Sequence, residues 1–141
     1  DVCRIDNHFL IGISERTNKE GVYQLSQHLE VAGFTSSHID IRDINGLLHL
    51  KSGVSYLGDN RALVTDALSK EKVFEGFRLV AVPEDEEYAA NCIRVNDYLI
   101  IAAGFPKLRE MLEVLGYKII ELEMSEFQKM DGGLSCLSLR F

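Results

Sequence analysis

Short apolar and β-branched runs alternate along this chain with polar turns, and their period switches between two and 3.6 in a recurring order. Residues 2–5 and 9–13 are β-rich runs separated by Asp6-Asn7, a dipeptide that tolerates the positive φ of a tight turn, so a hairpin is predicted at the start. Thr17-Asn18-Lys19-Glu20 then has the form of a capping box, in which the Thr hydroxyl and the Glu carboxylate each satisfy an orphan amide at a helix start. Val22, Leu25 and Leu29 recur at helical spacing up to Gly33, a suitable left-handed stop, and residues 37–41 read as a return strand. The predicted unit is ββαβ.

The same order returns near the other end. Shifted by 90 positions, Val2-Cys3-Arg4-Ile5-Asp6-Asn7 lies over Cys92-Ile93-Arg94-Val95-Asn96-Asp97, and apolar runs follow both, Phe9-Leu10-Ile11 and Leu99-Ile100-Ile101. Such self-similarity marks a protein built from stacked units. The later helix starts with Pro106, carries Leu108, Met111, Leu112 and Leu115 on one face, and stops at Gly116 before a strand over 118–122. A looser copy lies between: residues 47–56, a turn at Gly58-Asp59-Asn60, a strand over 62–64, a short polar helix around 70–75 and a strand over 78–82. Glu84-Asp85-Glu86-Glu87 reads as a solvated acidic connector. After Asp131-Gly132-Gly133 comes one more predicted strand, 134–141, equivalent to the opening strand of a fourth unit. The expectation is an α/β chain of repeated ββαβ units, at about residues 1–42, 45–83 and 88–124, plus that final strand. Three units and a strand leave a sheet edge unpaired, and another chain or segment is expected to cover it.

Composition narrows the function classes. Of the 141 residues, 46% are hydrophobic and 26% charged, the profile of a folded globular chain rather than a tail. With 15 basic against 22 acidic residues the net charge is −7, and the Lys and Arg are scattered singly, so no positive track for nucleic acid exists. The longest uncharged apolar run, residues 98–105, is far short of the ~20 residues a membrane span needs, and no signal segment opens the chain. A cytoplasmic protein with neither nucleic-acid nor membrane partners is expected. The chain opens at Asp1 without Met and Val2 already belongs to a strand-like run, so it is expected to start inside a domain. Cys3, Cys92 and Cys136, an odd number at wide spacing, fit free thiols, and His8, His28, His38 and His49 lack the short paired spacings of a zinc site. No metal or other cofactor is expected.

Repeats stacked around an axis bring equivalent strand starts to one centre, and at those positions stand Asp1, His49, Asn91 and, allowing for register, Cys136. A thiol is a good nucleophile only as thiolate and needs a proton partner such as imidazole, which makes Cys136 with His49 a coherent pair. Pattern alone favours plainer roles. Cys136 lies among Leu134, Leu137 and Leu139 and reads first as a core thiol, His49 as a satisfied core or edge histidine, and Cys3 and Cys92 as core. Arg16, just before the helix cap, suits a bidentate clamp on a carboxylate or a solvated loop.

Four stretches carry a resemblance. Ser14-Glu15-Arg16-Thr17-Asn18-Lys19-Glu20-Gly21, Leu48-His49-Leu50-Lys51-Ser52-Gly53-Val54-Ser55-Tyr56-Leu57, Tyr88-Ala89-Ala90-Asn91-Cys92 and Met130-Asp131-Gly132-Gly133-Leu134-Ser135-Cys136-Leu137-Ser138-Leu139-Arg140-Phe141 resemble, in order and spacing, the C-terminal portion of the bacterial dimethylarginine dimethylaminohydrolases. That family lies in the guanidino-group modifying, or amidinotransferase, superfamily, so the resemblance implies a five-bladed ββαβ propeller with its active site on the axis. It implies hydrolysis of an Nω-methylated arginine to citrulline and methylamine or dimethylamine through a covalent thiouronium on Cys136, with His49 as acid and then base. Arg16 matches the arginine that holds the substrate α-carboxylate, and the carbonyl of Met130 falls where the family contacts the α-amino group. The family's guanidinium-binding carboxylates fall before Asp1 in the match, so this chain alone is expected to be inactive or very weak, its missing half or a complementary chain completing the ring. Exposed blade edges suit a homodimer. An arginine deiminase, an amidinotransferase or a non-catalytic half-propeller module stays open as an alternative.

Overall fold

The repeat read from the sequence is present three times in the computed structural model, which describes residues 1–139. In the first unit β1 (Val2–Ile5) and β2 (His8–Ile13) pair antiparallel, helix α1 (Lys19–Val31) crosses over, and β3 (Thr35–Asp40) returns parallel to β2. The second consists of β4 (Val54–Gly58), β5 (Arg61–Val64), the single turn α2 (Asp66–Ser69) and β6 (Arg78–Ala81). The third consists of β7 (Ile93–Val95), β8 (Tyr98–Ala102), α3 (Pro106–Val114) and β9 (Lys118–Leu122). A last single turn, α4 (Ser125–Gln128), follows. Each sheet has three strands with the second strand central. The class is α/β as expected, and the three sheets of the described residues are open; they do not close into a ring.

Turn chemistry explains the repeat. Asp6 and Asn96, at equivalent hairpins, adopt φ of 51° and 54°, a left-handed conformation that short polar side chains tolerate. Between β4 and β5 the same task falls to Asp59 and Asn60. The α1 cap differs from the expected box. Asn18 is the cap and its side chain accepts from the Gly21 amide at 2.8 Å, while the Thr17 hydroxyl turns away to Asp1.

Alternation along the central strands sends side chains into different cores. On β5, Ala62 and Val64 join Cys3, Ile5, Leu10 and Ile39 between the first two units, while Leu63 joins Leu99, Ile101, Leu108 and Leu112 between the second and third. At the first unit's other face Ile11 and Ile13 meet Val22 and Leu29 of α1. β4 lies against both β1 and β7, so the opening strands of the units run side by side.

Three expectations are corrected. The strand predicted over 47–56 begins only at Val54; before it runs an irregular segment with a 3-10 turn at Leu50–Ser52, because Leu50 is drawn fully into the core and its amide is taken by a side chain rather than by a neighbouring strand. The polar helix around 70–75 is a 3-10 turn at Lys72–Phe74 that buries Phe74. The strand predicted over 134–141 is not formed: its described part starts with a 3-10 turn at Leu134–Leu137, where the Cys136 amide bonds the Gly133 carbonyl and the Ser135 amide bonds a side chain, so no ladder is available. Arg140 and Phe141 lie outside the described residues.

The acidic connector is also not uniformly solvated. Glu86 is 5% exposed, and its two carboxylate oxygens accept the amides of Lys107 (3.1 Å) and Leu108 (2.7 Å). Phe105 at the cap of α3 offers no side-chain acceptor, so Glu86 caps that helix from 20 residues away along the chain and places its charge at the positive end of the dipole. Glu86→Ala is expected to lower the free energy of unfolding by about 2 kcal/mol, whereas Glu84→Ala, at an exposed position, should change it by less than about 0.5 kcal/mol. Urea titrations of the two variants check this.

Candidate active site

Asp1 organises one side of the site. Its carboxylate accepts from Ser14 Oγ and Thr17 Oγ1, both at 2.7 Å, and from the Leu50 amide at 2.9 Å. Three donors on one carboxylate bind the loop after β2 to the turn that starts at His49. Gly12 makes room for this, since a Cβ there would stand 2.9 Å from Leu50 Cβ and 3.1 Å from Asp1 Oδ1. Ser14 is buried and its hydroxyl also receives the Arg16 amide at 3.0 Å, so the backbone that carries Arg16 is held in the same network.

His49 precedes the 3-10 turn in an extended conformation, not inside a strand as the pattern suggested. Its Nδ1 lies 3.3 Å from Ser52 Oγ and its Nε2 lies 3.7 Å from Cys136 Sγ. With the Nδ1 proton donated to Ser52, Nε2 is free to accept from the thiol. Burial pushes the His49 imidazolium below its ordinary range, helped by the positive charges of Arg16 and Lys51. The ring is therefore neutral near neutrality and able to take a proton. Among the described residues, no carboxylate lies within hydrogen-bond distance of the ring.

The third wall is Asn91, which is 6% exposed. Its Oδ1 accepts the Ser135 amide at 2.9 Å and its Nδ2 points to Cys136 Sγ at 3.8 Å. Asp1, His49, Asn91 and Cys136, the four positions taken from the strand starts, thus form one connected cluster. Arg16 is exposed at its edge, near enough for its charge to act on His49. Met130 is 84% exposed, on the turn ahead of the cysteine loop, and its side chain takes no part in the cluster. Ser52, three residues after His49, was not anticipated, although the stretch His49-Leu50-Lys51-Ser52 contains it.

The three thiols are not equivalent. Cys136 is exposed, while Cys3 and Cys92 are buried. Burial raises the Cys3 thiol and pushes the Cys92 thiol up to about 12, which leaves both inert. Beside the cluster lies a cavity of about 320 Å³ whose walls include Ser52, Thr65, Tyr88, Asn91 and the acidic residues Glu87 and Asp131. Among the described residues, no helix is long and apolar enough to cross a membrane.

This fold is shared with enzymes that act on amidino groups. An amidinotransferase from the saxitoxin biosynthetic pathway of Microseira wollei superposes with a TM-score of 0.84 at 18% identity, over 99% of this chain and 45% of that one, a likeness of fold alone. More particularly, the chain is similar to dimethylarginine dimethylaminohydrolases. It is 43% identical over 141 residues, 100% of its own length and 54% of the other, to the N(G),N(G)-dimethylarginine dimethylaminohydrolase of Pseudomonas aeruginosa. A structure of that enzyme, a cysteine-to-serine mutant complexed with citrulline, superposes with a TM-score of 0.94 at 42% identity over 100% of this chain and 54% of that chain. The chain therefore spans about half the length of the curated relatives it matches. No protein-family model matches it.

In the native protein iodoacetamide is expected to alkylate one thiol, Cys136, and all three after unfolding; mass spectrometry of tryptic peptides counts them. Modification of Cys3 or Cys92 at a comparable rate would contradict the burial described above.

Proposed function

We propose that this chain carries the nucleophile and the acid-base group of a hydrolase that converts Nω-methylated arginine to citrulline. The observation that supports it most is the 3.7 Å approach of Cys136 Sγ to His49 Nε2, two groups 87 residues apart in sequence. The neutral imidazole takes the thiol proton, and the thiolate attacks the guanidinium carbon to give a tetrahedral adduct. Imidazolium then gives that proton to the methylated nitrogen, the C–N bond breaks, methylamine or dimethylamine leaves, and a thiouronium remains on Cys136. The ring, now neutral, takes a proton from water and hydroxide adds to the same carbon; the C–S bond breaks as the imidazolium returns its proton to the sulfur, the adduct's O–H proton passes to solvent, and citrulline leaves. One imidazole serves as acid and then base because the first half-reaction leaves it deprotonated.

The substrate's amino-acid end is assigned to Arg16, whose exposed guanidinium suits a bidentate pair with the α-carboxylate, and to the Met130 carbonyl, which suits the α-ammonium. A guanidinium brought out of water needs carboxylates, since an unpaired buried cation costs several kcal/mol or more. None stands within hydrogen-bond distance of the Cys136 or His49 side chains among the described residues. We therefore read the chain alone as inactive or very weak, with a complementary segment or chain supplying those acids and closing a five-bladed ring in a cytoplasmic enzyme.

With 2-chloroacetamidine as an amidine electrophile, Cys136 is expected to be alkylated first, and His49→Ala to slow that step roughly 10²-fold or more. Citrulline from dimethylarginine should stay at background for the chain alone. Equal labelling of the three cysteines would overturn the assigned nucleophile, and sustained citrulline formation would overturn the inactivity. Where turnover is restored by a complementary segment, dimethylarginine is expected to be consumed in preference to arginine; the reverse preference would favour an arginine deiminase.

A further inference from the structure

The cysteine loop has little regular structure to hold it. Gly132 and Gly133 precede it, no strand ladder forms, and Cys136 itself is exposed. What fixes the loop is contact with the segment before β7. Tyr88 Oη donates to the Gly132 carbonyl at 2.7 Å, and the Asn91 side chain packs closely against Gly133, where a Cβ would stand 2.3 Å from Nδ2. Glycine at 133 is required by that approach, not by its backbone angles, because its φ is −117°.

The orientation of the Asn91 amide follows from its partners. Oδ1 must face the Ser135 N–H at 2.9 Å, since a flipped amide would set two donors against each other, and this directs Nδ2 at the sulfur. Asn91 is itself held from below. The Ser55 hydroxyl accepts the Cys92 amide at 3.1 Å and shares its proton between the Ala90 carbonyl at 2.7 Å and the Cys92 carbonyl at 3.1 Å. Ala89 and Ala90 are fully buried beside it. A side chain anchored this way, with one polar atom on the backbone next to the nucleophile and the other on the nucleophile itself, is preorganised toward one arrangement of both.

We propose that Asn91 is a positioning residue for the nucleophile: it sets the Cys136 loop through the Ser135 amide and gives one N–H to the sulfur, favouring the thiolate over the thiol. This rests on the reading of Cys136 as the nucleophile. The other titratable groups that face the sulfur are His49 at 3.7 Å and the Tyr88 phenol, and neither is altered by changing Asn91.

Asn91→Asp separates the two functions of the amide. It keeps the size and the acceptor for Ser135, and replaces the N–H that faces sulfur with an oxygen. The pH profile of Cys136 alkylation by iodoacetamide is the measurement, with Cys136→Ser to identify the signal and circular dichroism to verify folding. The expected result is a midpoint about one unit higher, and alkylation at pH 7 about tenfold slower, in Asn91→Asp. Asn91→Ala, which adds no charge to the interior, is the second variant; its midpoint is expected to rise by about half a unit, and it decides the matter if Asn91→Asp fails to fold. An activated wild-type thiol whose profile is unchanged in the folded variants overturns the inference about Asn91 alone. A wild-type thiol no more reactive than cysteine in a free peptide overturns the assigned nucleophile, and Asn91's part with it.

Discussion

None of the three sheets can bury both of its faces by itself. The central strand β5 shows this most directly: Ala62 and Val64 point to one neighbour and Leu63 to the other, so the middle unit shares a core with each of its neighbours. A fully buried Leu or Ile contributes on the order of 1.5–3 kcal/mol, and such residues are concentrated between units rather than within them. The stacking sets the opening strands β1, β4 and β7 side by side and brings the residues at their entrances together. The site is a consequence of that packing. Remote residues meet there because the units share cores, not because any local segment is shaped around a ligand.

Polar side chains then refine what the cores bring roughly into place. Asp1 binds the loop of Arg16 to the turn of His49, Ser55 holds the segment of Asn91, and Asn91 holds the loop of Cys136. Each of these groups is fixed by hydrogen bonds whose partners are themselves buried or bonded, an arrangement in which low dielectric strengthens the contacts and penalises their loss. The result is graded exposure along one chemistry. Two thiols are buried and silenced by desolvation, while the third is exposed beside a neutral imidazole. Burial thus places the same chemical group in opposite surroundings.

Legibility differed by element. The hairpin of the first unit could be read directly, because Asp6-Asn7 has few ways to sit between two β-branched runs, and its counterpart at Asn96-Asp97 repeats both spacing and conformation. The α1 cap was one residue off, since Thr17 has the right chemistry for a cap and is diverted by a carboxylate that a local pattern does not reveal. Glu86 sits in a run of four acids, a pattern of solvated surface, yet it is buried and caps α3 while Glu84 and Asp85 face water. The last strand failed for a related reason: Leu134, Leu137 and Leu139 suggest a ladder, and only Leu134 is buried.

By itself, the sequence determined the repeat, the turn positions, the periods of the two longer helices α1 and α3 and the short set of residues capable of nucleophilic and acid-base chemistry. These depend on propensities and spacings that act over a few residues. Tertiary structure alone decided which cysteine is exposed, which histidine faces it, and which amide and carboxylate hold the two in register. Those choices rest on contacts 87, 45 and 49 residues apart, between Cys136 and His49, Cys136 and Asn91, and Leu50 and Asp1. They form only after the shared cores have met the entropy cost of closing the chain between them.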